Sequence, residues 1–224
     1  MKILIGTTNP AKAGVFAKQL GDHPVELLTL TDLGIQKHPD EDGKNPVENA
    51  MIKAAYYGQF HDPVITEDSA LYIKELPLDD PRQPGLFVRR APDGHEMTDE
   101  EMVEYYAALA HSLGGRVTAY WLDGYAVCKD GEVIGFMDDN DEVNSAYSFY
   151  LVEKPAPNGH EGWPIDRLSV DIRTGRYLTD RAWGTALTAK EQTVILSYQQ
   201  KLSEFYIQAL GLKRKSDNDA YSCL

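Results

Sequence analysis

Hydrophobic patterning follows two different periods along this chain. Up to about residue 113, short aliphatic or β-branched runs alternate with stretches whose apolar residues recur every three to four positions. From residue 116 onward the apolar residues tend to recur at every second position. The first pattern predicts strands and helices in turn, and the second predicts antiparallel strands. Residues 2–6 read as a short apolar strand, and Asn9 or Thr8 is placed to cap a helix over 11–20 with Pro10 in its first turn. A strand is expected at 25–30, an acid-rich loop at 36–45 and a helix over 46–60. The next strand starts at Pro63 and delivers Glu67 and Asp68 at its C-terminal end, before an irregular stretch over 72–82 and a Pro84-Gly85 turn. Thr98 caps a helix over 99–113. Strands over 116–128, 132–137 and 143–152 follow, with Asp130-Gly131 as a hairpin turn and a charged connection at 138–142. A Pro/Gly loop covers 155–162, and a last helix runs over 189–210. The pattern predicts an elongated α/β fold of two lobes, with a central mixed β-sheet flanked by helices. One domain is expected over 1–212 and a polar tail over 213–224.

Chemistry concentrates in a few of these places. Residues at the end of a buried strand in an α/β fold reach the ligand crevice. Two adjacent acids there, Glu67 and Asp68, are costly unless a cation or a proton separates their charges. A metal and general-base site is one reading, and an acidic turn after a strand is the other. The strand–turn–helix run from residue 2 to 20 places free amides and a positive dipole end at residues 6–9, a natural anion site. Lys12 in the first turn of that helix is unfavourable unless an anion compensates it; otherwise it is a solvent-exposed lysine.

Composition narrows the function classes. Hydrophobic residues at 42% and charged residues at 25% are ordinary globular values. The formal net charge of −13 argues against a broad nucleic-acid or anionic-membrane surface, while leaving room for a small phosphate ligand held by a few lysines and a metal. Cys128 and Cys223 are far apart and fit no metal-ligand spacing, so a reduced, soluble, cytoplasmic protein is expected. No apolar run approaches the roughly 20 residues that span a bilayer.

Four segments taken together are similar to one family. Thr7 to Lys12, read T-T-N-P-A-K, resembles the [S/T]-x-N-x-x-K loop of the inosine triphosphate pyrophosphatase family, and Glu41 to Ala50 resembles its E-x-G-x-x-F-x-E-N-A segment, continued by Lys53. Thr66-Glu67-Asp68-Ser69-Ala70-Leu71 is similar to its [D/E]-D-S-G-L signature, and Pro84-Gly85 with Arg89-Arg90 sits where that family has a P-G-x-x-S-A-R turn. The resemblance implies Mg²⁺-dependent hydrolysis of a nucleoside triphosphate to monophosphate and pyrophosphate, acting on non-standard purines such as those of ITP, dITP and XTP. It implies Glu41 and Glu67 as metal ligands and Asp68 as general base. Thr7, Thr8, Asn9, Lys12, Lys53 and Ser69 would lie along the phosphates. Glu48 is either a further acid of the site or a first-turn helix acid, and Arg89 and Arg90 reach the ligand, a dimer partner or only solvent.

The second half departs from the pattern. The family's [F/W]-G-Y-D-P-I-F motif corresponds to Trp163 to Ser169, which keeps the aromatic and Asp166 but loses Gly, Tyr and Pro. Its S-H-R element corresponds to Ser197-Tyr198-Gln199, without His or Arg. Trp163 would stack on a base or simply pack, Asp166 would hydrogen-bond to the base, and Tyr198 would border it. A homodimer, no membrane and no nucleic-acid polymer as partner are further implied. A nucleotide-binding protein of the same fold, with altered base specificity or no catalysis, is the competing reading.

Overall fold

The computed structural model describes residues 1–20, 23–180 and 184–213 of the chain; the tail beyond 213, with Cys223, lies outside the described residues. The described elements form one mixed sheet with helices on both faces. Strands β1 (Lys2–Ile5), β2 (Glu26–Thr29) and β3 (Val64–Ile73) come first, with helices α1 (Pro10–Leu20) and α2 (Pro46–Tyr57) between them. Helix α3 (Asp99–Ser112), strands β4 (Arg116–Lys129) and β5 (Glu132–Met137), helix α4 (Asp141–Ala146), strands β6 (Phe149–Val152) and β7 (Ser169–Asp171), and helix α5 (Ala189–Leu210) follow. The strand order is β2-β1-β3-β4-β6-β7, with β5 also paired to β4. The β1–β2 and β1–β3 pairs are parallel and the rest are antiparallel. No described helix is long and apolar enough to cross a membrane.

Three expectations change. Strand β3 continues to Ile73, so Glu67 and Asp68 lie in its middle rather than at its end. The reason is β4, which pairs with all ten residues of β3 and carries it past the point where β1 stops. Residues 143–152 are not one strand: Asn140 caps α4 by accepting from the Glu142 amide, and Asp141 and Glu142 occupy its first turn, where acids favour the helix. The 46–60 helix ends at Tyr57, where the Gly58 amide closes onto the Ala54 and Tyr56 carbonyls.

The sheet is incomplete at its waist. Strand β1 leaves β3 after Ile65, the Gly6 amide donating to the Ile65 carbonyl at 2.8 Å, and the Leu71–Gly85 bridge begins six residues on. On the far edge of β4, β5 covers residues 124–129 and β6 covers 116–119, so 120–123 have neither neighbour. One face of the long β3–β4 ladder carries Ile65, Glu67, Ser69, Leu71 and Ile73 in alternation. Ile65 packs with α1 and α5, whereas Leu71 and Ile73 pack with α3. Between those two apolar groups, the polar pair Glu67 and Ser69 faces open space. The opposite face is covered by α2, packed so closely that a Cβ on Gly124 would fall 2.2 Å from the Val47 nitrogen.

Candidate active site

The open waist is a cavity of about 360 Å³. Helix α1 and strands β3 and β4 bring polar side chains to it. Helix α1 contributes Lys12, whose Nζ lies 3.2 Å from Glu67 Oε1 and 3.3 Å from Ser69 Oγ. Ser69 donates to the same Glu67 oxygen at 2.9 Å, so both contacts to Glu67 fall on Oε1. Burial alone would lower the Lys12 pKa, but Glu67, Asp123 and Asp68 around it raise it, and the ammonium stays charged.

Neighbouring residues in a strand point to opposite faces, which separates the two acids at 67 and 68. Asp68 meets α2 instead. Its Oδ1 accepts from Lys53 Nζ at 2.9 Å, and its Oδ2 accepts from Asn49 Nδ2 at 2.9 Å. Lys53 also lies 3.0 Å from Glu41 Oε2. Asn49 is buried and accepts from the Gly43 amide through Oδ1, tying the 41–45 loop to Asp68. The site therefore holds two ion groups: Glu67 with Lys12, and Asp68 with Lys53 and Glu41. Among the described residues no three of His, Cys, Asp and Glu gather into a metal-binding group by themselves. The donors are all oxygens, which suits a hard ion such as Mg²⁺ better than a softer metal, and Lys12 and Lys53 each take one oxygen, leaving a second on both Glu67 and Glu41.

The other expected residues are placed more unevenly. Asn9 does cap α1, accepting from the Ala11 amide at 2.9 Å, while its Nδ2 donates to the Gly162 carbonyl at 3.1 Å. It clamps the 155–163 loop over the cavity, and Gly162 must lack a side chain there, since its φ is +78° and a Cβ would sit 2.8 Å from Asn9 Oδ1. Thr7 accepts from the Asn9 amide, Thr8 is exposed, and neither lines the cavity. Glu48 is exposed and accepts from the Lys44 amide and from Asn45, a helix-start acid and nothing more in these contacts. Arg89 lines the cavity but is held by Asp99 and the Met97 carbonyl. It also borders a second, polar cavity shared with Glu41, Asp42, Gly43 and Arg90.

The far wall of the main cavity is aromatic. Trp121, Tyr125, Tyr147, Trp163 and Tyr198 line it, with Tyr147 and Tyr198 in edge contact at 5.6 Å. Asp166 lines it too, bonded to His160 at 3.0 Å. Burial pushes the Tyr147 hydroxyl up to about 12 and that of Tyr198 higher still, so both remain neutral phenols. Sequence reasoning missed Asp123 and Asn49. Asp123 stands opposite Ser69 in the β3–β4 register and faces the cavity. Burial, then the charge of Glu67, push its carboxyl up to about 6, against the pull of Ser69 and Lys12. The one signal for it was an acid at an inward position of a mostly buried strand.

Comparison with known proteins shows the family and the fold. The model of the Ham1 family matches residues 3–141, well over half of the chain. The chain belongs to the Ham1 family. It is 36% identical over 91 residues to a dITP/XTP pyrophosphatase of Thermoanaerobacter pseudethanolicus, covering 40% of this chain and 44% of the relative. It is 32% identical over 146 residues to the dITP/XTP pyrophosphatase of Thermus thermophilus, covering 60% of this chain and 67% of that one. The chain spans about half the length of most of the curated relatives it matches. Its fold is that of a HAM1 protein from Coxiella burnetii (TM-score 0.64, 19% identity, 93% of this chain and 100% of that one). The Ham1 protein of Staphylococcus aureus is similar (TM-score 0.61, 19% identity, 92% and 100%).

Proposed function

We propose that the chain hydrolyses nucleoside triphosphates between the α- and β-phosphates, releasing pyrophosphate. The observation that carries this reading is the pairing of two cavities across Arg89. One is lined by aromatic rings and suits a flat base; the other is polar, with Arg89 and Arg90 facing Asp40, Glu41, Asp42 and Glu96, and suits a triphosphate that arrives with a cation. Lys12 and Lys53 stand near the join, where the phosphates would pass. Family relatives named for dITP and XTP make non-standard purine nucleotides the first substrates to test.

In this reading Asp68 is the general base. Lys53 and Asn49 fix its carboxylate while its remaining lone pairs can take a proton from the attacking water. Lys12, Lys53 and the N-terminus of α1 stabilise charge moving onto the leaving group. Asn9 caps α1 and ties it to the 155–163 loop, and Ser69 accepts from Lys12, which holds that lysine at the cavity. Trp163, Asp166 and Tyr198 border the base. Glu41 and Glu67 would hold a Mg²⁺, which when bound neutralises phosphate oxygens and orients the pyrophosphate. A pyrophosphate-release assay over a nucleotide panel tests the reading, with Asp68→Asn as the blank. Tight nucleotide binding without product in the unmodified chain would instead mark a binding protein of the same fold.

A further inference from the structure

Two carboxylates in the cavity, Asp123 and Asp138, have no use in the proposed chemistry. Asp123 is partly buried and stands opposite Ser69 on the neighbouring strand. A serine hydroxyl carries a single proton, and Ser69 already lies 2.9 Å from Glu67 Oε1, where Lys12 also donates. An ionised carboxylate has about four acceptor sites and no donor. Asp123 therefore enters the cavity short of donors, while the other acids around it are supplied: Asp68 by Lys53 and Asn49, Asp138 by Lys201, Asp166 by His160.

Its position says what would supply them. Asp123 lies on β4 between Trp121 and Tyr125, on the same face as both, and its charge is felt by Tyr147 and Tyr198 across the cavity. That is the ring-lined part, away from the polar cavity at Glu41 and Arg90. The cations lining this cavity among the described residues are Lys12 and Arg89, against five carboxylates, and Arg89 is tied to Asp99. A base entering this slot meets an acceptor.

We propose that Asp123 reads the base, and that the base favoured here turns an exocyclic amino group, not a carbonyl, toward β4. The proposal rests on the cavity being a nucleoside triphosphate site. A carbonyl placed against Asp123 would set two desolvated acceptors face to face, which is how sites reject a near-identical ligand. An amino group would complete the hydrogen bonding that Ser69 leaves unfinished.

The test is pyrophosphate release by the full chain with Mg²⁺ from ATP and CTP against ITP and XTP. Melting shifts are measured in parallel with the α,β-methylene analogues of ATP and ITP, which resist cleavage at that bond. The amino-bearing nucleotides should show kcat/KM at least about tenfold higher, with the same order in the melting shifts. Asp123→Asn, whose amide offers a donor as well as an acceptor, should narrow that ratio by about tenfold. Asp123→Ser should do the same, and the unmodified chain alone tests the order if either variant fails to fold. Preference for ITP or XTP in the unmodified chain overturns the proposal. So does an Asp123→Asn variant that slows every nucleotide by one common factor, as loss of a metal ligand beside Glu67 would. Turnover in the reverse order defeats the base assignment alone, whereas no turnover and no melting shift with any nucleotide defeats the function beneath it.

Discussion

Two lysines set the charge state of the site. Lys12 faces Glu67 with Asp123 nearby, and Lys53 bridges Asp68 and Glu41. Asp123 makes this charge arrangement visible in stability. Its folded pKa of about 6 lies above the ordinary 3.8, so between those values the folded chain binds a proton that the unfolded chain has lost. Its contribution is full below about pH 4 and is lost as pH rises through about 6, a change of roughly 1–3 kcal/mol. Denaturant melts from pH 4 to 7 should show that decline, and Asp123→Asn should flatten it; an unchanged profile in the variant would contradict the assignment. The acids at 67 and 68 and the lysines at 12 and 53 were legible in the sequence because each sits in a compact local motif. Asp123 was not, because its meaning comes from the register that sets it opposite Ser69, a pairing across more than fifty residues that no local spacing encodes.

Among the elements, helix starts were the easiest to read and the junctions behind the site the hardest. Thr98 and Thr188 each form a capping box with the glutamate three residues on, and α5 begins and ends where its pattern predicts. Helix α4 was read as strand because Val143 to Val152 can pass for alternation, although Asn140, Asp141 and Glu142 are a helix-start signal. Arg173 then locks α4 to α5: it donates to the Ala146 carbonyl at 2.7 Å and to Glu191 Oε1 at 2.6 Å. That contact and the Thr188 cap hold Glu191 down at about 2. Stability from Glu191 is present above its usual 4.5 and is lost as pH falls toward 2. Arg173→Ala should cost about 3 kcal/mol in denaturant unfolding, since it leaves the buried Asp171 carboxylate without its ion pair, and should reduce that acid-side loss. On the other face, Gly124→Ala should cost about 1–3 kcal/mol by forcing α2 off β4. It should also lower nucleotide turnover, because Asn49 and Lys53 move with α2; a fully stable, fully active variant would contradict this packing.

At the scale of the whole molecule, the site exists because one mixed sheet is left open at its middle. Strand β1 ends at Ile5, and β5 and β6 divide the outer edge of β4 between them, so the ladder of β3 and β4 is bare where Glu67, Ser69 and Asp123 stand. Helices α1 and α5 close one end of that gap and α3 closes the other. The formal net charge of −13 means an anionic ligand has only local help, from Lys12, Lys53, Arg89 and Arg90. The alternation of β3 and β4 was readable, but the gap depends on where three other strands stop, which propensity does not fix. We propose that this gap hydrolyses nucleoside triphosphates with Asp68 as base. Pyrophosphate release with Mg²⁺ over a nucleotide panel, comparing the unmodified chain with Asp68→Asn, tests it most directly. Turnover should fall by about 10²–10⁴-fold in Asp68→Asn while nucleotide binding persists; equal turnover in both proteins, or none in the unmodified chain, would contradict this role for Asp68.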